Sequence, residues 1–179
     1  MSLTQASLLT GFLLISLGIL IIQKNSKVRS SILAFPRSRR PSFWLVAIAT
    51  AWFLWRHVAF LSEADFGNYK LLIGAVALGT AILSFVFVPD FLAVRGLAMV
   101  ILLWAREVLD AAFLQDASSR LVLVTVIYIL IIFSIYFGAW PYKLKDFLAW
   151  MSLETNRFTS LGRILSTVGL LIIILSFTY

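Results

Sequence analysis

The sequence predicts an all-α protein, a polytopic transmembrane bundle of six helices with one short interfacial helix. Three observations lead to this fold class. Hydrophobic residues make up 61% of the 179 positions, charged residues make up only 13%, and the apolar residues gather into six long runs. Soluble domains are about 45–50% apolar and about 25% charged, so this composition is typical of a chain surrounded by lipid.

Six apolar windows reach or approach the roughly 20 helical residues needed to cross a hydrocarbon core about 30 Å thick. In chain order they cover residues 7–22, 43–61, 71–88, 91–114, 121–140 and 163–179. Lipid leaves helices and closed barrels as the spanning structures, and these runs do not alternate as barrel strands do. Because the connections are too short to build a separate core, we expect a single integral membrane domain over residues 1–179.

The first window is expected to be a retained helix and not a removable signal peptide. A signal peptide carries a positive segment before its apolar run, whereas the first basic residue here, Lys24, follows that run. The polar segment after the window also lacks a small-residue cleavage pattern.

The basic residues fall mostly on one side of such a bundle, because successive connections lie on alternate sides. The first, third and fifth connections carry 11 basic and 3 acidic residues, whereas the opposite side carries 4 basic and 5 acidic residues. The positive-inside rule therefore predicts that the basic side is cytoplasmic. Both termini would then lie on the outer, or periplasmic, side of a plasma (inner) membrane.

The basic loops are expected to contact anionic lipid headgroups or a partner subunit, since each Lys or Arg near an anionic membrane contributes about 1 kcal/mol. The residues expected in these contacts are Lys24, Lys27, Arg29, Arg37, Arg39, Arg40, Lys143 and Lys145. A nucleic-acid interface needs a basic face on a folded module, which short loops beside a membrane do not provide.

Local signals predict how two of the helices begin. Residues 24–42 are expected to form an irregular loop broken by Pro36 and Pro41, with Ser42 placed to cap the second span. Asp90 is expected to cap the fourth span in the same way.

The interfacial helix is predicted for residues 142–153, directly after Pro141. Leu144, Phe147 and Met151 recur at helical spacing there, while the neighbouring charged side chains lie off that face. This pattern is typical of a short amphipathic helix in the cytoplasmic interface, which either anchors two spans or docks a partner.

Small residues recur at helical spacing in three of the windows, where they would let helix backbones approach closely. The first set is Ser7 and Gly11, the second is Ala75 and Gly79, and the third is Gly162, Ser166 and Gly169. We therefore expect close helix packing along these faces.

Ionisable residues interrupt the second and fourth windows at similar depth. Arg56 and His57 lie about one turn below the outer end of the second window, and Arg106, Glu107 and Asp110 lie in the outer half of the fourth. Asp110 follows Arg106 by one helical turn, within ion-pair reach. Because an unpaired charge in lipid costs roughly 2.5–3.5 kcal/mol, we expect a cross-helix network that faces the bundle interior.

This polar cluster allows two interpretations. It forms either an ion-pair lock between helices, or a proton relay or polar cavity for a small anionic or quinone-like ligand. The lock would leave Arg95 to reach the cytoplasmic interface from the other end of the fourth window.

Motifs for catalysis, metals and cofactors are missing from the sequence. His57 is the single histidine and the chain has no cysteine, so zinc, di-iron and bis-histidine haem sites have no ligand set. Nucleophile-elbow, zinc-protease and P-loop patterns do not occur. We therefore predict no catalytic residue, no metal ligand and no cofactor.

The leading functional hypothesis is a non-catalytic membrane subunit or scaffold that packs against other membrane proteins. Short loops and small-residue helix faces favour it. The alternative is a small transporter or channel-like protein that uses the polar cluster. A weaker alternative is a membrane enzyme that acts on lipid or quinone.

Overall fold

A computed structural model describes residues 1–23, 25–62 and 66–178, and within these ranges every regular element is helical. Lys24, which the sequence assigns to lipid or partner contact, lies outside the described residues. The eight α-helices of the described ranges are α1 (Leu3–Ile22), α2 (Ser26–Ala34), α3 (Arg39–Phe53), α4 (Lys70–Phe87), α5 (Leu92–Ala112), α6 (Arg120–Ala139), α7 (Pro141–Leu153) and α8 (Thr155–Ser176). The predicted all-α class is confirmed.

Glycine brings α1 and α8 into close antiparallel contact. A Cβ placed on Gly11 would lie 2.6 Å from Ile173 Cγ1 and 2.7 Å from the carbonyl oxygen of Gly169. Two helical turns further along α1, a Cβ on Gly18 would lie 2.6 Å from the carbonyl oxygen of Gly162. These distances are below ordinary van der Waals contact, so the two backbones meet where a side chain would keep them apart.

The predicted small-residue faces of the first and last windows are therefore confirmed as packing faces. The middle pair behaves differently, because Ala75 is exposed and a Cβ on Gly79 would meet no atom within 4 Å. Within the described residues, no other part of the chain packs against this face of α4.

Helix α5 occupies the middle of the bundle and contributes small buried residues to the core. Ala105, Val108 and Ala112 pack with Leu123 and Ile127 of α6 in one cluster that also includes residues of α1 and α8. Small side chains on α5 let neighbouring helices approach it from several sides at once.

Helices α3 and α5 lie side by side and run in the same direction. The residues in contact advance together along both helices, from Val46 beside Gly96 to Trp52 against Trp104, whose ring centroids are 6.3 Å apart. Because α4 connects these two helices, it must run back in the opposite direction beside them.

The two ends of the bundle collect different parts of the chain. At the end called here the terminal end, Ser119 Oγ lies 2.7 Å from Thr178 Oγ1, and the first residues of the chain lie beside residues 115–117. At the end called here the basic end, the Arg29 guanidinium donates to the carbonyl of Ser152, and Arg37 lies over the Phe91 ring.

Four of the described helices are long and apolar enough to cross a membrane: Leu3–Ile22, Gly67–Phe87, Arg120–Ala139 and Asn156–Ser176. The predicted count of six is not confirmed by this measure. In the second window α-helix ends at Phe53, so that α3 has only 15 residues, and the 21 residues of α5 include four charged side chains.

The prediction of an irregular loop over residues 24–42 is wrong. The described residues of this segment, 25–42, form α2, whose first turn is capped because Asn25 accepts from the Lys27 N–H, then a 3₁₀ turn from Phe35 to Arg37, and the start of α3. Pro41 does not break the helix, because it lies in the first turn of α3, where proline is tolerated.

Neither predicted helix cap is correct. Ser42 lies inside α3, where its hydroxyl donates to the carbonyl of Ser38 at 2.7 Å, and Ser38 precedes the helix. Asp90 lies in a turn, and the residue that precedes α5 is Phe91, which adopts a left-handed conformation with φ of 58°. The helix therefore begins one residue later than the capping pattern predicts, and no side chain caps it.

Residues 141–153 form α7, so the helix predicted after Pro141 is confirmed. Proline occupies the first helical position, where its missing N–H is not needed. Met151, on the predicted apolar face, is buried, and the contact of Arg29 with Ser152 joins α7 to α2 at the basic end.

We expect Gly11→Ala to lower the stability of the folded protein by roughly 1–3 kcal/mol, because the added methyl group forces α1 away from α8. The melting temperature of the protein in mild detergent measures this effect. Gly79→Ala is the matched control: it adds the same methyl group where there is open space and should leave stability unchanged or slightly raised. Equal losses in the two variants would contradict the packing described for α1 and α8.

Candidate functional site

The candidate site lies where α3 loses its α-helical hydrogen bonding. Residues Leu54–Val58 form a π-helical turn, in which the Ala59 N–H donates to the carbonyl of Leu54 at 2.9 Å. Such turns insert one extra residue into a helix and occur frequently at functional sites. Here the turn carries both Arg56 and His57, the two polar residues that the sequence singles out in this helix.

Arg56 forms a two-pronged ion pair across to α5. Its Nε lies 2.9 Å from Glu107 Oε1, and its Nη2 lies 3.3 Å from Oε2 of the same carboxylate. This fork-to-fork geometry fixes the orientation of both side chains. The Arg56 side chain is 52% exposed, whereas that of Glu107 is only 14% exposed, so the carboxylate is largely covered at the contact with this arginine.

Arg106 joins the other two members of the cluster. Its Nη1 lies 2.7 Å from His57 Nδ1, and its Nε lies 3.8 Å from Asp110 Oδ2 one turn along α5. A guanidinium has no lone pair to offer, so His57 Nδ1 accepts this hydrogen bond and the imidazole is neutral with its proton on Nε2. Protonation of His57 would remove the acceptor and place two positive groups in contact.

The five predicted residues therefore meet, as the sequence analysis expects, but Arg56, Arg106 and Asp110 do not face the bundle interior. Arg106 and Asp110 are 60% and 68% exposed. The inner face of α5 is occupied at this level by Ala105 and Val108, whose small or apolar side chains allow close helix packing. The charges consequently lie on the rim between α3 and α5.

The cluster can hold protons and charge, but it lacks the ligand set of a metal centre. Two cationic and two anionic groups balance in charge around one neutral imidazole. Within the described residues, no three Asp, Glu or His side chains come together as a metal site would require. Its present geometry joins two helices by paired hydrogen bonds.

The predicted lipid- or partner-contact residues of the described chain belong to the basic end. Some of them are already engaged within the chain. Arg29 donates to Ser152, Arg37 lies 5.2 Å above the centre of the Phe91 ring, and Lys143 lies 5.5 Å from that of Tyr142. The remaining residues in this set are Lys27, Arg39, Arg40 and Lys145.

Sequence reasoning missed a groove on the side of the bundle. The α4 groove, as we name it, has a volume of about 810 Å³ and separates α4 from α3 and α5. Ala49 and Phe53 line it from α3, Ala77 from α4, and Arg95 and Met99 from α5. No local pattern announces it, because it arises from the distance that α4 keeps from its neighbours.

A second cavity, of about 390 Å³, lies at the terminal end between residues 1–4 and the segment around Asp116. Neither cavity is lined by a residue of the polar cluster.

Comparison of the chain with family models, characterised proteins and solved structures found no match.

We expect Glu107→Gln to lower the melting temperature in detergent by a few degrees, because the largely covered carboxylate loses its charge-assisted pair with Arg56. Asp110→Asn is the matched control. Its side chain is mostly exposed and lies 3.8 Å from its partner, so its removal should have almost no effect. If Asp110→Asn proved as damaging as Glu107→Gln, the cluster would not act as a lock through Glu107.

Proposed function

We propose that this chain is a multi-pass protein of the plasma (inner) membrane with six spans and both termini outside. Four described helices suit this role by length and hydropathy. The remaining two spans would be α5, with 21 residues, and α3 continued through its π-helical turn, with 15 and five residues. Each is about the length that crosses a bilayer core.

The charge distribution supports this topology. The basic end holds Lys27, Arg29 and Arg37, and α3 begins there with two further arginines, whereas the polar cluster near the other end balances its charges. Positive residues in short loops favour the cytoplasmic side. With its charges near its two ends, α5 would span with Arg95 and Arg106 reaching opposite interfaces.

Within that membrane we propose that the protein is a non-catalytic subunit or scaffold that packs against another membrane protein through α4. The observation that carries this proposal is that α4 has no buried residue along its 18 residues, whereas the other three candidate spans each bury part of their surface. A helix that packs so little within its own chain is available to a neighbour.

The outward face of α4 is suited to close helix contact. Leu71, Leu78 and Ile82 are strongly exposed there, and Ala75 and Gly79 leave a shallow depression between them. Small residues at this spacing let a second backbone approach, which is the main source of helix association in lipid.

The polar cluster supports a second candidate function, a small transporter. Both Arg56 and His57 lie on a π-helical turn, a feature that is common at functional sites. A relay through Glu107 would make Glu107→Gln inactive in a transport assay while the protein stays folded. If the cluster is an ion-pair lock, Glu107→Gln would instead destabilise the protein and leave any transport unaffected. The forked ion pair between Arg56 and Glu107 favours the lock over the relay.

The proposed topology predicts opposite accessibility for two engineered cysteines. Ser118→Cys, at the terminal end, should react with a membrane-impermeant thiol reagent in intact cells. Ser31→Cys, on α2 at the basic end, should react only after permeabilisation. The natural chain has no cysteine, so it provides the background, and labelling of both positions from one side would refute the topology.

The partner proposal predicts that α4 variants lose a stoichiometric complex. Native mass spectrometry of tagged protein, extracted from its source membrane in mild detergent, measures the complex directly. Gly79→Leu fills the shallow depression and Ile82→Trp enlarges the exposed face, so each should release the partner and leave the fold intact.

Ile132→Trp on α6 is the matched control, because Ile82 and Ile132 are both 65% exposed. It should retain the partner. A wild-type protein without a stoichiometric partner would refute the proposal. So would a complex that survives both α4 variants, or one that is lost only in Ile132→Trp.

A further inference from the structure

The α4 groove is mostly apolar, with a few hydroxyl side chains along it and one charged side chain at one end. Its walls are formed by residues such as Val46, Phe53, Leu72 and Met99, and Arg95 is the charged residue among those that line it. Arg95 lies one turn inside α5, so the guanidinium marks the basic end of the groove. A long apolar groove with a cationic side chain at one end matches a ligand that has an apolar tail and an anionic head.

The length of the groove matches one leaflet of a bilayer. Its lining runs along α5 from Leu92 to Leu103 and along α4 from Leu72 to Ser84. At 1.5 Å per residue, each of these segments is about 17–18 Å long. Half of a hydrocarbon core about 30 Å thick is about 15 Å, which is the depth reached by one acyl chain.

The volume of the groove suits a small ligand. The groove offers about 810 Å³, and protein pockets that hold small molecules enclose about 300–1,000 Å³. One hydrocarbon chain therefore fits within it.

The charge at the mouth has no partner within the described chain. No acidic side chain of the described residues forms an ion pair with Arg95. The same end of the bundle carries Arg37 against Phe91 and starts α3 with Arg39 and Arg40. A guanidinium binds phosphate through two parallel hydrogen bonds, and the surrounding positive charge favours an anionic headgroup.

We infer that the α4 groove binds one acyl chain of an anionic phospholipid from the leaflet at the basic end, with the lipid phosphate held by Arg95. The lipid fills the space between α4 and the α3–α5 pair, and so supplies the contacts that α4 lacks in the protein. The inference rests on the proposed membrane insertion and not on the proposed partner, which uses the opposite face of α4.

The test measures lipid retained by the purified full chain after reconstitution with equal amounts of phosphatidylglycerol and phosphatidylcholine. Native mass spectrometry should show one phosphatidylglycerol bound per chain, with at least a tenfold preference over phosphatidylcholine. Arg95→Gln should abolish this preference. Arg163→Gln, an exposed arginine on α8 away from the groove, should behave like the wild type.

Two phenylalanine variants of the same helix test the groove itself. Ala77→Phe places a ring in the groove and should eliminate the retained lipid, whereas Ala75→Phe places it on the exposed outward face and should not. Ala81→Phe fills the groove at a second position and replaces Ala77→Phe if that variant does not fold. Melting temperatures of all variants verify the fold.

Equal binding of the two lipids, or equal retention in Ala77→Phe and Ala75→Phe, would overturn the inference. A lipid-free dimer that Ala77→Phe dissociates would overturn it too, because a second copy would then occupy the groove. These failures are distinct from those of the proposed function. Absence of membrane insertion would appear as protein that stays in solution without detergent, and absence of a partner would leave lipid retention unchanged.

Discussion

Close approach of helix backbones at small residues is the interaction on which this bundle depends. Gly11 of α1 packs against Gly169 of α8, and Gly18 packs against Gly162. At each contact the two backbones are so close that an added methyl group would clash. The resulting helix pair packs onto α5, where Ala105 and its neighbours again present little bulk. Lipid tails are as apolar as leucine, so a bundle in a membrane gains from packing of this kind and not from burial as such.

The same packing determines where polarity can exist. Small and apolar residues occupy the inner face of α5. The charged residues of α5 therefore lie at its edge, where Arg106 and Glu107 contact residues that follow α3. The π-helical turn at Leu54–Val58 adds the local change in register with which Arg56 and His57 meet Glu107 and Arg106. One end of the α3–α5 pair is thus closed by ion pairs, and the other opens beside Arg95 into an apolar groove.

The helical class, the glycine faces of α1 and α8, and the meeting of Arg56 with Glu107 could be predicted, because each depends on hydropathy or helical spacing. Other features depend on information that spacing does not carry. Pro41 is predicted to break the chain within a loop, because the sequence does not reveal that it lies in the first turn of a helix. A π-helical turn leaves no periodic signal, and the exposure of Arg106 follows from neighbours distant in sequence. The α4 groove is likewise a product of tertiary arrangement.

The parallel arrangement of α3 and α5 has a consequence for α4. Because α3 and α5 contact each other directly, the helix that connects them cannot lie between them and packs on the outside of the pair, much as a crossover helix covers a parallel sheet. The core cluster takes its members from α1, α5, α6 and α8, and α4 contributes none. Amino-acid replacements along its surface therefore remove little buried packing from the folded chain.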